Sequence, residues 1–232
     1  MTLGAVFFFA SLGLSCSAQA ESSFKKKLRA QELSAEFWEE NRNCLSPELA
    51  KVVARQIFSG RKFNEWGKIR EWPELKEAPA VIFDNQGDGR NVLIPEKTNW
   101  VVRKTNPPET GILALFHPLC SPSKRALNSL SSEKELKDAF FLAPASPSYE
   151  IKPWEQWKKA YPDWKMQVAY HENEWPEVKE WATPTFIFIF RGKIIHTVVG
   201  WPPEGNLESW KSGIEKLKIR KTQKNQNKRR NA

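Results

Sequence analysis

Apolar residues change their spacing several times along the chain, and each spacing predicts a different element. From Ser46 the pattern is helical: Ser46 is a good N-cap, Pro47 suits the first helical position and Glu48 suits the first turn. Leu49, Val52, Val53 and Ile57 then form a stripe that Gly60 can end. Phe63, Trp66 and Ile69 predict a further short helix, stopped at Trp72-Pro73. Upstream, Phe24, Leu28, Leu33 and Phe37 fall loosely on one helical face. After Pro79 the character changes. Apolar runs at 80–83 and 92–94 flank Asp84-Asn-Gln-Gly-Asp-Gly89, the pattern of strand, loop, strand, and residues 100–102 predict one more strand. The Asp/Gly loop lacks the downstream Glu and flanking helices of a calcium loop and is read as turn chemistry.

The second half carries a denser alternation. Residues 112–116 form an apolar strand, followed by His117-Pro-Leu-Cys120-Ser-Pro-Ser123-Lys124 and a helix through about Leu130. Residues 132–142 predict a capped helix that ends in a strand at 140–142. A loop follows at 143–148, with helical turns at 154–161. Residues 167–170 read as the next core strand and 175–181 as a short helix. Thr183-Pro184 opens a strand of β-branched and aromatic residues, a place where proline is tolerated. Arg191-Gly192 makes a tight turn, residues 193–199 return as the partner strand, and an amphipathic helix runs to Leu217.

This order of elements, with Cys120 after the first strand and Thr183-Pro184 before the hairpin, resembles the thioredoxin-like superfamily. In thioredoxins the corresponding motif is Trp-Cys-Gly-Pro-Cys-Lys. Here Leu119 stands for the tryptophan, Ser123 for the second cysteine, and Ala114 for the acidic residue of the preceding strand. The resemblance covers roughly residues 108–217. It implies an α/β fold, a central mixed sheet flanked by helices, here with an α-rich N-terminal extension. It also implies that the proline is cis and faces Cys120, and that Leu119, Pro122, Thr183, Gly200 and Trp201 line a groove for a protein or peptide substrate. No cofactor is expected.

Composition adds compartment and charge. Residues 1–20 have an apolar run, too short to span a bilayer comfortably, and a small-x-small site at Ala18-Gln19-Ala20, as an export signal does; no Lys or Arg precedes the run. Cys16 sits in a partial lipoprotein box with Gly13 where Leu belongs, so cleavage after Ala20 is favoured over lipidation. The expected compartment is the periplasm or the exterior. The expected organisation is a signal at 1–20, a helical extension with a short hairpin at 21–105, and a thioredoxin-like domain at 106–218 with an insertion at about 131–165. A disordered basic tail at 219–232 completes it. The net charge of +9 comes largely from Lys and Arg after residue 215, which suits a solvated tail or weak contact with an anionic membrane or acidic partner. Nucleic acid is not an expected partner, because aromatics do not interleave with the basic run. Eleven tryptophans are many for 232 residues; those at 154–181 are read as packing the insertion rather than as a binding surface.

Two readings of the chemistry stay open. A thiol at a helix N-terminus feels unpaired N–H groups and the positive dipole end, and Lys124 and His117 are further candidates to favour the thiolate. Cys120 can then attack a disulfide, assisted by Ser123 and Pro184, in a monothiol cycle, because Ser123 cannot resolve a mixed disulfide. Cys44 is the candidate resolving or disulfide partner, or else a buried thiol. The other reading is a non-catalytic binding or assembly protein of the cell envelope, with Cys120 a small buried hydrophobe. The histidines (His117, His171 and His196) have no metal-ligand spacing, so no metal site is expected; His117 with Cys120 is the weakly matching pair, and His196 is placed on a wet strand face.

Overall fold

The computed structural model describes Lys26 and residues 35–42, 45–84, 86–145 and 148–230. The expected export signal, Cys16 and Cys44 lie outside the described residues. The chain forms two compact units, Met1–Lys76 and Glu77–Ala232.

The first unit is helical. After α1 (Ala35–Glu40), α2 (Pro47–Ser59) starts where the sequence predicts, with the Ser46 side chain accepting the Leu49 N–H at 3.2 Å. Its buried stripe is Ala50, Val53, Ala54, Ile57 and Phe58, one residue round from the expected one, and Val52 faces water. Small alanines let this face approach its neighbours, a feature that hydrophobicity alone does not single out. The left-handed residue after the helix is Arg61, at φ 57°, rather than Gly60. In α3 (Phe63–Ile69), Phe63, Trp66 and Ile69 are buried, as their spacing predicts. Phe58 meets the rings of Phe63 and Trp66 edge-on at 5.4 and 5.2 Å, and Trp72 donates to Glu39 Oε2 at 2.6 Å.

The second unit is an eight-stranded mixed sheet. Its strands are β1 (Val81–Phe83), β2 (Arg90–Glu96), β3 (Asn99–Thr105), β4 (Thr110–Leu115), β5 (Phe140–Ala143), β6 (Met166–Ala169), β7 (Thr185–Phe190) and β8 (Lys193–Val199). The spatial order is β1-β3-β2-β6-β5-β4-β7-β8. β4, β5 and β6 run parallel, and β4 pairs antiparallel with β7 from Thr110↔Phe190 to Leu115↔Thr185. Both β4 and β7 are apolar on two faces, which suits central strands covered on both sides. The β7–β8 turn is Arg191-Gly192, with both φ values positive, the two-residue geometry that matches strand twist.

The domain limits differ from the sequence expectation. β1, β2 and β3 belong to the same sheet as the core, so the unit begins at Glu77 rather than near Asn106. β2 joins the sheet by pairing with β6, a long-range contact that local pattern does not reveal. The strand beside β4 is β5, inside the expected insertion, and the strand near 167–170 lies one place further out. In the Asp/Gly loop, Asp84 is bonded by Arg103 at 2.8 Å and by the Gln86 amide, which is turn chemistry.

Helices cover one sheet face: α4 (Ser121–Leu130), α6 (Lys152–Ala160) and α7 (Leu207–Arg230), with the single turn α5 (Lys134–Lys137) between the first two. Trp157, Tyr161 and Trp164 continue the ring cluster of Phe116, Phe141 and Phe186, so these tryptophans are core. Trp210 of α7 packs on Phe186 and Phe188 at 4.8 and 5.4 Å. His196 faces this helix rather than water: its Nε2 lies 3.0 Å from the Ser209 carbonyl.

The opposite face buries Leu113, Leu115, Leu142, Ile187 and Ile189 beneath Trp175 and Val178. The segment carrying those two is not the helix predicted at 175–181. Pro176 biases Trp175 away from helical geometry, and only a single 3-10 turn forms, at Glu172–Glu174. The acids are used on the sheet instead. Glu177 is gripped by both Arg90 η nitrogens at 2.5 and 2.7 Å, and Glu174 accepts the Asn91 N–H at 3.0 Å.

α7 continues to Arg230, where the sequence predicts disorder after Ile219. Its last turns are rich in Lys, Arg and Gln, good helix formers, and no Gly or Pro follows Gly213. Among the described residues, no helix is long and apolar enough to cross a membrane.

Candidate functional site

β4 delivers the chain to the site. The strand ends at Leu115, Phe116 is fully buried, and His117 to Leu119 turn the backbone into α4. Cys120 is the N-cap of α4, with extended φ −83° and ψ 116°, and Pro122 lies in the first turn, where a missing N–H costs nothing. The Cys120 N–H bonds the His117 carbonyl at 3.0 Å, and its own carbonyl accepts the Lys124 N–H at 3.1 Å. The sulfur is therefore held at the positive end of the helix.

β7 delivers the other half. Thr183–Pro184 is a cis peptide just before the strand. The Cys120 thiol donates to the Thr183 carbonyl at 3.2 Å, Thr185 bonds Ala182, and the Gly200 N–H reaches the Pro184 carbonyl at 2.8 Å. Residues far apart in the chain, 119–123, 183–184 and 200, are thus assembled around one thiol. Cys120 is half-buried, Ser123 is fully buried, and Leu119 is an apolar side chain 65% exposed beside the sulfur.

The thiol is acidified. Burial by itself pushes the Cys120 pKa up, but hydrogen bonds from the Ser123 and Thr183 side chains and the Ser123 amide, with the Arg125 charge, bring the net value below that of an ordinary thiol. Arg125 is the residue that sequence reading missed. Its Nη2 donates to the Trp201 carbonyl at 3.0 Å, which fixes the guanidinium near the sulfur. A cation five residues into a helix is a visible signal, but only the fold turns it inward.

Three sequence expectations change. Lys124 is exposed and is not among the groups acting on the thiol. His117 does not act as a neighbouring cation: burial lowers its pKa, and its Nδ1 accepts the Leu119 N–H at 3.2 Å. That bond also occupies the nitrogen a soft metal would need, and among the described residues no cluster of three potential metal ligands exists. Trp201 does not line an open groove. It is 3% exposed, packs on Phe186 at 5.9 Å, and contributes through its carbonyl.

A parallel β4–α4–β5 crossover, an antiparallel β7–β8 hairpin and a terminal helix surround a thiol at the N-cap of α4, opposite Thr183. The fold is thioredoxin-like. No protein-family model matches the chain, and no curated protein matches it. Solved structures do. A thio-disulfide isomerase from Thermus thermophilus is 15% identical with a TM-score of 0.39, over 58% of this chain and 96% of that one. A thioredoxin-like protein from Porphyromonas gingivalis is 15% identical with a TM-score of 0.40, over 56% and 91%. StoA from Bacillus subtilis is 15% identical with a TM-score of 0.31, over 50% and 91%.

Proposed function

We propose that this is an exported protein that exchanges disulfides with protein substrates through one thiol, Cys120. The observation that carries the reading is the thiol itself: half-buried at a helix N-cap, opposite Thr183, and more acidic than a free cysteine. The Cys120 thiolate attacks one sulfur of a substrate disulfide. A Cys120–substrate disulfide forms as the substrate S–S bond breaks, and the second substrate sulfur leaves as a thiolate. Hydrogen bonds that favour the thiolate also make Cys120 a good leaving group in the reverse step. Ser123 has no sulfur with which to resolve the adduct, so either an external thiol attacks the substrate sulfur, taking the substrate as a mixed disulfide and releasing the Cys120 thiolate, or Cys44 attacks the Cys120 sulfur, forming a Cys44–Cys120 disulfide and releasing the substrate thiolate. Leu119 and the backbone beside Thr183-Pro184 hold the substrate segment.

A second reading has its own support: Leu119 offers an apolar contact, and Ser123 and Ala114 take the places of the second thiol and the acid in the thioredoxin motif. On that reading the groove binds a peptide and the thiol is dispensable. The deciding experiment incubates the mature protein, in a Cys44→Ser background, with a disulfide-bonded peptide and maps adducts by mass. Exchange predicts a reductant-sensitive mixed disulfide at Cys120, absent in Cys120→Ser. Binding of the peptide at equal affinity by both proteins with no adduct supports the scaffold reading and removes the first.

A further inference from the structure

A cavity of ≈ 510 Å³ opens between α6 and the β2–β3–β6 part of the sheet, within the second unit. Its volume lies in the range of roughly 300–1,000 Å³ typical of sites for small ligands. The apolar lining includes the edges of three indoles, Trp154, Trp157 and Trp164, each no more than 7% exposed, beside Ile94 and Met166. The indoles are fixed surfaces. Trp154 meets Trp100 edge-on at 5.9 Å, Trp157 packs on Tyr161 at 4.8 Å, and Trp164 is stacked on Phe141 at 5.1 Å. Rigid aromatic walls bind a flat or acyl body with little loss of conformational freedom.

The rim has the opposite character. Lys104, Lys158 and Lys165 line the cavity and are exposed, and none takes part in an ion pair among the described residues. The lining carboxylate, Glu96, is already held by Arg103 at 2.6 Å, and Arg103 is shared with Asp84 at 2.8 Å. Three exposed lysines therefore line the cavity against a triad with one net negative charge. A neutral ligand would leave them as they are; an anion matches them.

We infer that this cavity is a binding site for a small amphipathic organic anion. An aromatic or acyl body lies against the indole edges, and a carboxylate or sulfonate points to the three lysines. Cys120 is not among the residues that line the cavity, and the inference does not depend on the reading of that thiol.

The test uses two dyes that share one aromatic body, 8-anilinonaphthalene-1-sulfonate and its neutral parent N-phenyl-1-naphthylamine, titrated by fluorescence into the full chain. Stoichiometry for the sulfonate comes from calorimetry. The expected result is one saturable sulfonate site that weakens as salt rises. The triple variant Lys104→Gln, Lys158→Gln, Lys165→Gln should bind the sulfonate roughly tenfold more weakly, about 1.4 kcal/mol, while the neutral dye is unchanged. These lysines are exposed, so the variant should keep the wild-type circular dichroism spectrum. Cys120→Ser should bind both dyes like wild type. Equal affinity of wild type and triple variant for the sulfonate would overturn the inference. So would uptake of several equivalents without saturation, or equal loss of both dyes in the triple variant.

Discussion

The sulfur of Cys120 lies 3.2 Å from the carbonyl oxygen of Thr183, a residue 63 positions further along the chain. In its protonated form the thiol donates to that carbonyl. Once ionised it has nothing to donate, and it relies on the Ser123 and Thr183 side chains, the Ser123 amide and the Arg125 charge. The pH profile of iodoacetamide alkylation should therefore have its midpoint below the free-thiol value of about 8.5. Thr183→Val and Arg125→Gln should each move the midpoint up and slow alkylation at pH 7. The folded state favours the thiolate. Relative to Cys120→Ser, the native protein should gain stability as pH rises from the folded to the unfolded thiol pKa, and keep it above that window. A wild-type midpoint at or above the free-thiol value would contradict the arrangement of donors.

Ser123 occupies the buried side of the first turn of α4, three residues after Cys120 and fully enclosed. Ser123→Cys places a second sulfur there with little change in volume. In a Cys44→Ser background, mild oxidation should join the introduced thiol to Cys120 by loss of two electrons and two protons to the oxidant. Intact-mass measurement should show a loss of two mass units and of both alkylatable thiols, reversed by reductant. Two thiols that stay free under conditions that oxidise a small dithiol would mean the helix start cannot close the bridge.

Sequence carried the site further than it carried the sheet. Cys120 and Thr183-Pro184 were legible as partners through the resemblance to thioredoxins, while composition by itself showed only the apolar strands that each of them borders. The start of α2 was legible from Ser46, Pro47 and Glu48, since capping is a local interaction. What failed to show was non-local. Nothing in residues 92–93 announces that they pair with 168–169, so the extent of the sheet was missed. Ala50 and Ala54 are buried because a neighbour comes close, while the larger Val52 is left outside. Arg125 reaches the thiol only because Trp201 offers a carbonyl from another element.

His117 gives a pH signature of its own. Burial lowers its pKa, and Nδ1 is occupied by the Leu119 N–H, so the fold holds the neutral ring. The unfolded chain takes up a proton near pH 6.5, before the native state does. Stability from this residue is present above that value and is lost as pH falls through the window down to the folded pKa. His117→Gln retains an acceptor for Leu119 without the titration. Between pH 7.5 and 5.5, wild type should lose more thermal stability than this variant. The carboxylates of Asp84, Glu135 and Glu177 are held low by hydrogen bonds from Arg103, Lys218 and Arg90. Their loss falls below about pH 4.5 and is common to both proteins. Parallel melting curves across the upper window would exclude the proposed state of His117.

Gly213 and Gly67 both lie inside helices, yet the same substitution should act in opposite directions. An added Cβ at Gly213 would lie 2.5 Å from Phe188 Cε2 and Cζ and 2.8 Å from His196 Cδ2. Phe188 is fully buried in β7 and cannot withdraw. Overpacking costs about 1–3 kcal/mol, against a gain of about 1 kcal/mol in helix propensity, and contacts this short sit at the upper end of that cost, so Gly213→Ala should destabilise the second unit by up to about 2 kcal/mol. At Gly67, in α3, a Cβ meets nothing within 4 Å. Gly67→Ala should stabilise the first unit by up to about 1 kcal/mol. Chemical denaturation of the two variants, with a probe assigned to each unit, reads the two signs separately. If Gly213→Ala stabilised its unit as Gly67→Ala does, the close seating of α7 on β7 and β8 would be wrong.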